Sequence, residues 1–253
     1  MIVLCYHGIS DAWSGAVGPH SLERQLRLLL DHGYRPASFA EAVLSPPAGK
    51  TVVVTFDDGY RSVVEDAFPI LESLGVRGTV FVPTGFVGAE VAAWSGTDCW
   101  LGSAYEHELV PMTWDQLRML RDAGWEIGSH TATHPHLICI GDEQLGEELV
   151  GSRSVIEREL GVPCRSLAYP YGEADGRVER AAAAAGFEAA CTLTDSFAPA
   201  SPLAWPRIGI FRHDGPIRFR VKVSPLVIRL RSTPWWRLLR RGHPDSRPDA
   251  HRP

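Results

Sequence analysis

Short apolar runs alternate along this chain with longer stretches of helical period, and that alternation restricts the fold more than any other feature. Ile2–Tyr6, Val52–Phe56, Gly78–Val82, Trp125–Ile127, Ser166–Ala168 and Ala189–Leu193 read as buried strands. Between them Leu22–His32, Val63–Leu74, Thr113–Ala123, Asp142–Leu160 and Gly176–Ala185 have the spacing of amphipathic helices. Gly33 and Gly75 stop the first two, and Gly161 followed by Pro163 stops the long fourth, the order expected past a helix C-terminus. Thr113 is placed to cap the third. Strands alternating with helices of this length imply parallel βα units, and five or more imply an α/β barrel. A chain of 253 residues fits one such domain.

Two of the strand ends carry paired polar residues of one chemical kind. Val52–Phe56 runs into Asp57-Asp58-Gly59-Tyr60, and Trp125–Ile127 runs into Gly128-Ser129-His130-Thr131-Ala132-Thr133-His134. An Asp with two His is a common contribution to a catalytic zinc site that keeps a position open for water, and the remaining Asp is then free to act as a base. Taken alone, Asp57-Asp58 could close a turn and the histidines could be packed core residues. Their common placement at the C-terminal rim of a parallel barrel, where catalytic side chains converge, favours a metal-dependent hydrolase. Cys5-Tyr6-His7-Gly8 and Leu167-Ala168-Tyr169-Pro170-Tyr171-Gly172 sit at two further strand ends.

In this order Thr-Phe-Asp-Asp-Gly-Tyr, His-Thr-Ala-Thr-His and Tyr-Pro-Tyr-Gly resemble the polysaccharide deacetylases of the NodB-homology type, carbohydrate esterase family 4, from about residue 2 to residue 223. The resemblance implies a distorted (β/α)7 barrel in a single domain. It implies that Asp58, His130 and His134 bind a divalent metal, zinc first and cobalt or nickel as substitutes, and that Asp57 is the general base. Thr131 and Thr133 would set the His geometry by hydrogen bonds, the backbone N–H near Tyr171 would complete an oxyanion site, and Pro170 would fix that loop. Many members carry an Arg where this chain has Ala168; Arg207, in Trp205-Pro206-Arg207-Ile208-Gly209, is the candidate replacement. For the acid that protonates the leaving amine, the exopolysaccharide-type branch points to His7 in the Tyr-His strand, with His213 of His213-Asp214 as the rival; His136 reads as an ordinary loop residue. The long loop 85–111 carries Phe86, Trp94, Trp100 and Tyr105, of which Trp94 and Trp100 are expected sugar contacts together with Tyr60 and Pro170. Those rings could equally pin the loop to the barrel.

The implied reaction is removal of N-acetyl groups from an N-acetylhexosamine-containing oligo- or polysaccharide or its lipid-linked precursor, with release of acetate. An O-acetyl esterase of the xylan type, hydrolysis of a small amide, and an inactive carbohydrate-binding barrel are the alternatives. Charge is divided unevenly. Residues 212–253 hold 11 Lys+Arg against 3 Asp, a balance of +8, whereas the first 211 hold 14 against 27, or -13. An acidic body without a recognised binding motif argues against nucleic acid as partner. The stretch 224–253, with Trp235-Trp236 and Arg237, Arg240 and Arg241, reads as a basic tail, partly disordered, either suited to weak contact with a membrane surface or simply solvated. No apolar run is long enough to span a membrane and no signal peptide is evident, so a cytoplasmic location, peripheral to the inner membrane face, is expected. Five scattered cysteines without a CxxC pair argue against a disulfide framework.

Overall fold

Nine strands form one all-parallel sheet in the computed structural model, which describes residues 1–193, 196–197, 201–233 and 236. They are β1 (Ile2–Tyr6), β2 (Arg35–Ala37), β3 (Thr51–Phe56), β4 (Thr79–Val82), β5 (Glu126–Ser129), β6 (Ser166–Ala168), β7 (Ala189–Thr192), β8 (Trp205–Pro206) and β9 (Ile208–Gly209). The order β8-β7-β6-β5-β4-β3-β1-β9 runs almost full circle, with β2 beside the first half of β3. Trp205 pairs with Cys191 at one edge and Ile208 with Leu4 at the other, so the segment 205–209 brings the sheet to within one residue of closure. Arg207 is that residue. Counting 205–209 as a single strand and leaving β2 aside gives seven strands around a nearly closed barrel, the barrel that the alternation predicted and the strand number that the resemblance implied.

The helices are α1 (Pro19–Asp31), α2 (Phe39–Leu44), α3 (Phe68–Ser73), α4 (Trp114–Asp122), α5 (Asp142–Leu160), α6 (Gly176–Ala184), α7 (Pro216–Lys222) and α8 (Pro225–Arg231). Thr113 caps α4 in a reciprocal box with Gln116. A wider turn over Val63–Ala67 leads into α3, and Gly161 at φ 67° ends α5. No described helix is long and apolar enough to cross a membrane.

Alternation along the strands sorts side chains into two layers. Ile2, Leu4 and Tyr6 of β1 and Val52, Val54 and Phe56 of β3 pack outward against the helices. Val3 and Val53 point inward, with Phe81, Ala168, Ala189 and Cys191. Helix α2 plugs the lower end of this interior with Phe39, Ala42 and Val43. A Cβ on Gly128 would lie 2.5 Å from the Phe81 ring, so glycine there is what lets Phe81 fill the axis. Helix α8 lies in the stretch read as tail, yet its Ile228 packs on the main core. The expectations for Trp235, Arg237 and the remainder of 237–253 lie outside the described residues.

Candidate active site

Strand parity assembles the site. The inward rows Val3-Cys5 and Val53-Thr55 continue by the same period of two to His7 and Asp57, and Gly128 continues to His130, so all three emerge on the barrel axis at the C-terminal rim. Asp58 escapes the parity through a φ of 68°, which turns its carboxylate to the same side. Among the described residues four non-glycines have positive φ: Asp58, Thr131, His134 and Tyr171. Each costs about 1–2 kcal/mol relative to ordinary backbone, and their gathering at one place marks a functional site.

Asp58 Oδ1 lies 3.4 Å from His130 Nε2 and 3.5 Å from His134 Nε2, with all three side chains buried. That oxygen has no hydrogen-bond partner. The separations are long for hydrogen bonds but match the roughly 3.3 Å between neighbouring ligands around a tetrahedral zinc ion. An orphaned carboxylate oxygen facing two imidazoles therefore fits a divalent cation. Burial disfavours the Asp58 carboxylate, but the imidazoles of His130, His7 and His134 outweigh it and hold the group well below the usual range. His130 Nδ1 is 2.8 Å from the Ala168 carbonyl. Donation there leaves the Nε2 lone pair aimed at Asp58, the tautomer a metal ligand needs.

His134 is held by its rings and its loop. Trp94 stacks on it at 4.5 Å and 28°, and Tyr171 meets it edge-on at 4.8 Å. Its backbone N–H donates to Thr131 Oγ1 at 3.0 Å. Glu148 of α5 accepts from Ala132 N and Thr133 N, both at 2.8 Å, and from the Thr133 hydroxyl at 2.5 Å. Thr131 and Thr133 thus act on the loop backbone rather than on the imidazole nitrogens.

The second carboxylate, Asp57, is gripped from below. Arg207 Nη1 donates to Oδ1 at 2.6 Å and Nη2 to Oδ2 at 2.7 Å, while Nη1 also reaches Thr55 Oγ1 at 3.0 Å. The Cys5 thiol donates to Oδ2 at 3.4 Å. Burial pushes Asp57 up, the Arg207 guanidinium and then His130 pull it down, and the balance leaves it at about 2. Cys5, His7 and Asp57 also offer ligand atoms within 4.8 Å of one another. The Arg207 fork already occupies both Asp57 oxygens with positive charge, so of the two clusters the Asp58 side is the one that fits a cation.

A family model described as polysaccharide deacetylase matches residues 45–190. The chain belongs to the polysaccharide deacetylase family. Two catalogued relatives are alike over most of this chain. YxkH of Bacillus subtilis (strain 168), whose name places it among polysaccharide deacetylases, is 27% identical over 195 residues, 75% of this chain and 63% of that protein. The poly-beta-1,6-N-acetyl-D-glucosamine N-deacetylase of Escherichia coli (strain K12) is 25% identical over 249 residues, 82% of this chain and 36% of that protein. The chain therefore spans less than two thirds of the length of either. The structure of IcaB from Ammonifex degensii superposes with a TM-score of 0.73 at 25% identity, covering 90% of this chain and 96% of that one. The Streptococcus pyogenes deacetylase PplD, solved in complex with acetate, gives 0.74 at 24% identity over 89% and 98%, a likeness of fold.

His7 and Arg207 fall outside the stretch that matches the deacetylase family model, so their placement rests on geometry. His213 is exposed and stacks on Phe211 at 5.7 Å, while Asp214 is taken by Lys222 at 2.5 Å and Arg218 at 2.9 Å. The apparent His213-Asp214 pair is thus engaged elsewhere. The aromatic residues expected to meet sugar are turned inward: Tyr60, Trp94 and Trp100 are at most 6% exposed and cluster with Trp13 and Leu109. Trp100 meets Trp13 edge-on at 5.1 Å and pins the loop, which leaves it no free face for a sugar ring. Pro170 is buried too, and it leads into Tyr171 at φ 58°. A Cβ at Gly172, φ 68°, would lie 2.5 Å from Leu193 N, so glycine is required for that loop to approach β7. The Tyr171 hydroxyl donates to the Ser95 carbonyl, and its ring stacks on His136 at 3.6 Å, with His136 Nδ1 3.2 Å from Glu173. Glu148 and the Ala168 carbonyl are the functional groups that sequence reasoning missed; neither has a local signature.

Proposed function

We propose that this member of the polysaccharide deacetylase family is a divalent-metal-dependent N-deacetylase of an N-acetylhexosamine oligo- or polysaccharide, releasing acetate and leaving a free amine. The observation that carries the reading is the division of labour between adjacent carboxylates: Asp58 faces His130 and His134, and Asp57 faces Arg207. Asp58, His130 and His134 would hold the cation, zinc by their donor types. When bound, the cation supplies Lewis acidity to the acetyl carbonyl and makes water acidic enough to attack near neutral pH.

Asp57 takes the proton from the attacking water. Its role needs a charged carboxylate, and Arg207 keeps it charged in a buried place where it would otherwise take up a proton. The fork also fixes the plane of the carboxylate, so proton transfer occurs at one orientation. The Tyr171 N–H donates to the developing oxyanion. His7, half-buried on the same rim, gives a proton to the leaving amine. The name of the Escherichia coli relative favours a β-1,6-linked N-acetylglucosamine polymer as substrate.

Acetate release from β-1,6-linked N-acetylglucosamine oligomers by metal-stripped protein, with and without added Zn²⁺ or Co²⁺, tests the reading. Metal-restored release is expected. Release from O-acetylated xylan alone would move the activity to ester hydrolysis, and silence on both by metal-loaded protein would point to a specialised precursor as substrate or to an inactive barrel.

A further inference from the structure

The two C-terminal helices are apolar on the side that faces solvent as well as on the side that faces the core. Phe219 and Val223 of the α7 region are buried and Ile228 of α8 packs on the barrel, which accounts for the inner face. Outward, Ile217 is 81% exposed and Val221 52%, Leu226 77% and Leu230 51%. Each pair is four residues apart and so shares one helix face. These are four of the ten large hydrophobic side chains exposed among the described residues, and they include the two most exposed. A surface helix ordinarily turns polar groups to water, so an outward apolar stripe requires a cover.

Charge identifies the cover. From residue 215 to 233 the chain holds five Lys+Arg and no Asp or Glu, whereas the first 211 residues carry a net charge of -13. Arg220 and Arg229 are exposed and make no ion pair among the described residues, whereas Arg218 and Lys222 are engaged by Asp214. Aliphatic side chains interleaved with unpaired guanidinium groups suit the boundary between phosphate headgroups and acyl chains: the cations meet phosphates and the aliphatic groups enter the hydrocarbon edge. A nucleic acid would leave the aliphatic face uncovered.

We propose that α7 and α8 form a docking surface for an anionic phospholipid bilayer, on which the protein rests without crossing it. This inference stands apart from the reaction proposed above, since none of its residues belongs to the site. The experiment is co-sedimentation of the full chain with phosphatidylcholine vesicles, with and without phosphatidylglycerol. Two sets of substitutions at exposed positions probe it separately: Ile217→Ser with Leu226→Ser and Leu230→Ser, and Arg220→Glu with Arg229→Glu. Binding that requires phosphatidylglycerol and falls by about tenfold or more in each set is expected, with turnover of a soluble substrate unchanged. Equal binding to both vesicle types, no binding, or binding that survives either set overturns the proposal. Retention on dissolved polyglutamate as strong as on vesicles would overturn it as well and make the face a site for an acidic protein.

Discussion

Arg207 meets Asp57 across 150 residues of sequence through two parallel hydrogen bonds, Nη1 to Oδ1 at 2.6 Å and Nη2 to Oδ2 at 2.7 Å. Arg207 is the one residue between the two edges of the nearly closed sheet, so the carboxylate proposed as base is held at the point where the barrel comes together. Fold closure and the charge state of the base are thereby one feature.

Arg207→Met leaves a buried carboxylate without its counter-ion, a loss of about 3–5 kcal/mol for such pairs. In the parent protein Asp57 is held at about 2, below the ordinary 3.8, so its contribution is present above pH 3.8 and is lost as pH falls through about 2. In the variant the Arg207 attraction is gone and burial is opposed only by His130 and His7, so the group rises and protonation relieves the defect as pH falls. Urea unfolding at neutral pH and near pH 4 checks this: the deficit of Arg207→Met should shrink at the lower pH. Arg207→Lys should recover only part of the activity, because an ammonium cannot make the fork.

Glu148→Ala removes the acceptor for three donors of the loop that carries His134. These donors are only part-buried, so leaving them unsatisfied costs less than the roughly 1–3 kcal/mol of a fully buried group, while loss of such outer support lowers metal affinity by about 10–100-fold. Thermal unfolding of the metal-free form and a zinc titration read the two effects separately. Glu148→Gln should retain part of the support.

His7→Ala should lower turnover by about 10²–10⁴ while substrate binding changes little. His213→Ala should leave turnover unchanged, since its ring lies on Phe211 and its neighbouring carboxylate is held by Lys222. Steady-state rates on one N-acetylated oligomer decide between them; the reverse pattern would move the acid to His213.

What could be read in advance follows from how local each signal is. Six strands were legible because burial on both faces makes their runs mainly apolar, with Glu126 and Ser166 among the polar interruptions. β2 contains Pro36 and is mostly exposed, and β8 and β9 are two residues each, too short for any period. Asp57, Asp58, His130 and His134 were legible since their spacing lies within single strand ends. Arg207 was visible only through the family pattern, and Glu148 looks in sequence like any solvated helix glutamate. At position 168, where many family members carry Arg, the sequence shows only an alanine side chain and gives no sign that its backbone carbonyl meets His130 Nδ1. Trp94 and Trp100 were read as sugar contacts because composition does not say which way a ring turns; here Trp94 lies against His134.

The central claim assigns proton transfer to Asp57 and cation binding to Asp58, His130 and His134. It is tested most directly by measuring bound zinc and acetate release together in Asp57→Asn and His130→Ala. The account predicts that Asp57→Asn retains zinc and loses turnover, whereas His130→Ala loses both. Zinc lost from Asp57→Asn, or turnover kept by His130→Ala without metal, would contradict it.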